Sequence, residues 1–188
     1  MKKALLGLAV IGTSLLAQTV SAHSSIVEDY IVEGERAYLT IQVPHGCKNE
    51  AGEEQMTNGI VIKMPNSQTD IDAGWAFTSV APVMSYVKEQ RTKTIQVNMA
   101  NSEGVVEPTD MVSEIALLHL HLPYKWVLKA EFRGRAPMLP EGETEKELSF
   151  DIIQYCPDNT TAEWSAANGK AATVKVVKAP EGEEVAHH

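Results

Sequence analysis

Along this chain, apolar and polar residues trade places every second position in a succession of short stretches. Tyr38-Leu39-Thr40-Ile41-Gln42-Val43 alternates and stops at Pro44, and Thr94-Ile95-Gln96-Val97-Asn98-Met99 repeats the pattern. Gly59-Ile60-Val61-Ile62-Lys63-Met64 stops at Pro65, and residues 115–122 form an apolar run that ends at Pro123. Residues 126–133 lead to Gly134, residues 148–156 form the longest run, and residues 173–177 form the last. A period of two is that of a strand with one face buried and the other wet. Gly, Pro, Asn and Asp separate the runs, as turns require. No stretch has the 3.6-residue rhythm of a long amphipathic helix and no internal repeat is visible. The pattern predicts an all-β, antiparallel sandwich.

The two ends fall outside that pattern. Met1-Lys2-Lys3 is a positive start, residues 4–12 are apolar but too few to span a bilayer, and Val20-Ser21-Ala22 offers small residues to a signal peptidase. This reads as a secretory signal over residues 1–22, cut after Ala22, and it predicts a periplasmic or secreted protein. Residues 23–178 are then one domain, and residues 179–188 an acidic, disordered tail. Removing Lys2 and Lys3 with the signal takes the net charge from −9 to −11. Such a surface repels nucleic acid and anionic lipid, so neither is expected as a partner of the mature chain.

Export changes the meaning of two residue types. Cys47 and Cys156 are the only cysteines, and an even count in an oxidising compartment predicts a bridge between them. The alternative, a thiolate metal site, lacks a Cys-x-x-Cys spacing. Cleavage after Ala22 makes His23 the first residue. Its free α-amine and its ring Nδ1 can then chelate one metal ion, and nitrogen donors of this kind favour Cu(II) among first-row divalent ions. The plain alternative is that some residue must follow a cleavage site.

Six features in one order carry a resemblance. They are Ala22-His23; Val43-Pro44-His45-Gly46-Cys47; Ile62-Lys63-Met64-Pro65 with Gly74-Trp75; Glu114-Ile115 with Leu122-Pro123; Phe132-Arg133-Gly134 with Leu139-Pro140-Glu141-Gly142; and Gln154-Tyr155-Cys156 with Glu163-Trp164. On these the chain resembles the YcnI-like copper-binding domain family in its Gram-negative form. The resemblance implies an immunoglobulin/fibronectin-like sandwich that binds one Cu(II) through the N-terminal histidine, here His23. It implies a nearby carboxylate, carried over to Asp110 with Glu107 as second choice, and a tryptophan over the site, Trp164. Where the family has a tryptophan and a glycine pair after Glu-Ile, this chain has residues 116–121, with His119 and His121.

The function expected is therefore copper storage, delivery or homeostasis in the cell envelope, without catalysis, in exchange with a copper chaperone or transporter. The alternatives are an envelope interaction module whose first histidine is incidental, and a histidine-chelate copper monooxygenase. No Gly-x-Ser-x-Gly elbow or phosphate-binding glycine loop supports other enzymes. His119 and His121, two apart, would share one face of a strand, either holding a metal or, as favoured, lying on a wet face. His45 reads as a structural turn residue, and His187 and His188 as adventitious metal binders in the tail. The scattered methionines form no Cu(I) motif.

Overall fold

Strict alternation becomes strand wherever it was legible. The computed structural model describes residues 23–83 and 89–179. Its strands are β1 (Ser25–Ile26), β2 (Tyr30–Val32), β3 (Arg36–Val43), β4 (Cys47–Lys48), β5 (Glu54–Gln55), β6 (Gly59–Lys63), β7 (Thr78–Pro82), β8 (Glu89–Ala100), β9 (Val106–Leu118), β10 (Leu128–Arg135), β11 (Glu145–Tyr155), β12 (Thr161–Trp164) and β13 (Ala172–Val177). One five-residue helix, α1 (Gln68–Asp72), is started by a capping box in which Ser67 and Asp70 bond each other's backbone.

A four-stranded sheet, β1-β3-β10-β7, faces a larger one, β2-β13-β11-β6-β9-β8, with β12 also on β11; β4 and β5 form a separate ribbon. The first sheet turns Leu39, Ile41, Val43, Ala130 and Phe132 inward, and the second answers with Ile60, Ile62, Ile115, Leu148, Phe150 and Ile152. Phe77, Phe132 and Phe150 meet at centroid separations of 5.5–6.0 Å in tilted or edge-on geometry. Each such side chain contributes about 1.5–3 kcal/mol over leaving it in water.

Pairing is antiparallel with one correction: β13 and β2 run parallel, Val176 opposite Ile31. The apolar run at 115–122 is another correction. Its strand ends at Leu118, because His119 and His121 adopt left-handed backbone, at φ 52 and 46. In the other direction β9 begins at Val106, where Glu107 and Pro108 hid the alternation. That half extends past β6 and pairs only with β8. Gln68 on α1 covers β8's outer edge there: its amide accepts from Asn98 N–H at 2.8 Å and donates to Asn98 C=O at 3.4 Å. An open strand edge left unpaired would be a template for association.

Cys47 and Cys156 are joined, as predicted, closing a separation of 109 residues. Beside the bridge, Gln154 is buried and donates to the His45 carbonyl at 2.9 Å and to Thr57 Oγ1. The predicted signal segment, residues 1–22, lies outside the described residues, as do all of the predicted tail except Ala179, and His187 and His188 with it. Among the described residues no helix is long and apolar enough to cross a membrane.

Candidate metal centre

Beyond His23 the chain runs directly into β1. Ser25 pairs with Gln42 and Ile26 with Ile41, and Val27 N–H donates to the Thr40 carbonyl at 2.9 Å. The paired register ends at Ser25 opposite Gln42; His23 precedes it by two residues, and β3 leads on through Pro44 to His45. Alternation turns Ser24 into the interior and leaves His23 and Ser25 exposed. Ser24 Oγ is buried and has no hydrogen-bond partner among the described residues.

His45 leaves the end of β3 in the turn before the bridge. Its ring lies against Tyr124, centroids 5.2 Å apart, and its Nδ1 stands 2.5 Å from the Gly46 carbonyl oxygen. A carbonyl only accepts, so Nδ1 is the donor here, and in the neutral ring Nε2 is then the nitrogen with the lone pair. Metal-binding histidines are oriented by this kind of bond to a backbone carbonyl. His45 lies between β3 and β4, in the segment that its sequence context marks as a turn.

Trp164 faces inward on β12 opposite Ile152 and belongs to the core, with 7% of its surface exposed. It is an interior wall residue. β12 and β13 flank β11 on the side away from β6, and β1 lies against β13. The strands of His23 and Trp164 therefore share one flank of the sandwich.

Asp110 and Glu107 are not on that flank. They pair with Gln96 and Met99 in the part of the β8–β9 hairpin that projects past β6, and both are exposed. Two strands, β11 and β6, stand between β9 and the flank of β12 and β13. Among the described residues no three His, Cys, Asp or Glu side chains gather as a metal group, so His23, Asp110 and Glu107 form none. Spacing along the chain placed these carboxylates near Glu114-Ile115 correctly, but strand order carries them away.

His119 and His121 do not share a strand face, since neither has strand geometry. His119 Nε2 lies 3.2 Å from Glu89 Oε2. Both histidines line a cleft of about 410 Å³ with Asn58, Gly59, Val61, Leu118 and Tyr155.

The family model described as "Domain of unknown function (DUF1775)" matches residues 23–183. No curated protein matches the chain. Among solved structures, an uncharacterized protein from Nocardia farcinica with an immunoglobulin-like fold is similar at 15% identity and a TM-score of 0.53, covering 85% of this chain and 100% of its own. That likeness shows the fold. AvmM, which catalyzes macrocyclization in alchivemycin A biosynthesis, aligns over 87% of this chain and 93% of its own at 13% identity, with a TM-score of 0.35.

Proposed function

This chain belongs to the DUF1775 family, the family that its motifs resemble, and from that premise we propose that it is an exported Cu(II)-binding protein of the cell envelope. The observation that supports the reading is an exposed His23 two residues before β1, the neighbour of the strand that leads to His45 and the disulfide. Copper is the cargo. Cleavage after Ala22 frees the α-amine, and amine and ring Nδ1 supply two nitrogen donors. His45 Nε2 is the candidate third nitrogen donor, with Nδ1 turned to the Gly46 carbonyl. An all-nitrogen set suits Cu(II). Asp110 and Glu107 have no part in it. Trp164 closes the interior beneath this flank and limits water from the core side. The protein stores or delivers copper in exchange with an envelope chaperone or transporter, and does no chemistry on it.

The test is Cu(II) titration followed by electron paramagnetic resonance, on protein whose first residue is verified as His23. One equivalent with nitrogen hyperfine structure is expected. An identical spectrum from a form with one extra residue before His23 would overturn the reading.

A further inference from the structure

Only four arginines occur in the chain, against twelve lysines, and three of the four meet at one place. Arg36 on β3 stands directly opposite Arg135 on β10, and Arg133 lies two residues along the same outer face. With Ser79 and the Gly134 backbone they line a cleft of about 140 Å³. Like charges directly opposite on neighbouring strands are destabilising, and this chain is acidic overall, so a carboxylate partner would be easy to supply. None is. The neighbouring acids Glu35 and Glu131 make no ion pair with any of the three arginines. Arg36 and Arg133 make no side-chain hydrogen bond to any described residue, and Arg135 makes one, to the Gly34 carbonyl.

The backbone is bent to build the cleft. Pairing of β10 with β7 slips between Arg133, opposite Ala81, and Arg135, opposite Thr78. The slip is a bulge, a device that re-aims side chains. Ser79 takes up the bulge in left-handed backbone at φ 53, a conformation that residues other than glycine rarely adopt. Gly134 completes it, since a Cβ there would stand 2.1 Å from Phe77 Cε1.

We propose that Arg36, Arg133, Arg135 and the Ser79 hydroxyl form a binding site for a phosphate group. A guanidinium presents a planar fork of donors that matches oxyanions, which a lysine ammonium does not. A carboxylate has two oxygens to offer three forks. A phosphate has three or four and carries about −1.5 to −2 charges at neutral pH. The open cleft admits inorganic phosphate or the headgroup of an anionic lipid equally. The site owes nothing to copper: Arg36 begins β3 and Val43 ends it near His23, about 23 Å away along the strand.

The experiment follows the arginine Nε–H resonances of the full folded protein during titration with inorganic phosphate, against chloride at equal ionic strength. A parallel arm sediments the protein with phosphatidylcholine vesicles with and without phosphatidic acid. Saturable, one-to-one phosphate binding is expected, weakened at least tenfold in the R133Q/R135Q variant and unchanged in K125Q. The R36K/R133K/R135K variant keeps the charge and is expected to lose most of the affinity. Binding in the phosphate arm alone identifies the free ion as ligand; arginine-dependent binding in the vesicle arm alone identifies the headgroup. No saturable binding in either arm, or full binding by the triple-lysine variant, overturns the proposal. These side chains are exposed, so the variants keep the fold, which thermal melts verify.

Discussion

A histidine at the start of a strand has one chemistry when its α-amine is free and another when it is acylated. His23 is exposed and precedes β1, so lengthening the chain before it leaves the sandwich intact. Adding one residue there is expected to lower Cu(II) affinity at least tenfold, about 1.4 kcal/mol, with the melting temperature unchanged; competition titration and calorimetry read the two. His45→Ala is expected to weaken binding by about the same factor. It spares the fold, because Gln154 holds the His45 backbone carbonyl and not its ring. Affinity should fall as pH is lowered, since metal displaces protons from the donors. Asp110→Asn, by contrast, should leave affinity unchanged. At the other end, Gly134→Ala drives a methyl into Phe77 and should cost about 1–3 kcal/mol in urea unfolding. Adding Phe77→Leu should recover part of that, because the two positions are in contact.

Elements behave as wholes where pairing or a bridge ties them. The Cys47–Cys156 bond links the β4 ribbon to the segment just beyond β11 and closes a separation of 109 residues. Its removal by Cys47→Ser with Cys156→Ser is expected to lower stability by up to about 4–5 kcal/mol, read from denaturant unfolding under oxidising conditions. Reductant should shift the parent protein and leave the variant where it is. The β8–β9 hairpin is held differently, by Gln68 on its outer edge. Alternation made β3, β6, β10 and β11 readable because each has a core face and a wet face. β4, β5 and β12 are two to four residues long and leave no such trace. The first half of β9 carries Glu107, Pro108 and Asp110, so its pattern reads as loop until β8 pairs with it.

For the whole molecule, the proposed function requires export and one cut, after Ala22. Mass spectrometry of the exported protein should give a chain starting at His23 and two hydrogens lighter than the reduced form. A retained leader would block the α-amine and with it copper binding. Composition, alternation and cysteine count determined the class of this protein by themselves: a β-sandwich closed by one disulfide, since burial of alternate side chains and oxidation of a cysteine pair are consequences of local pattern and compartment. The chemistry proposed for His23 rests on the same kind of local reading. Only the tertiary structure decided which side chains meet. Strand order sent Asp110 and Glu107 to the β8–β9 hairpin, away from the flank where β1 lies, and pairing made β1 the neighbour of the strand that leads to His45. A bulge in β7 gathered three arginines from two strands into a single cleft. Contacts of that kind join residues far apart in the chain, through pairings that no local period encodes.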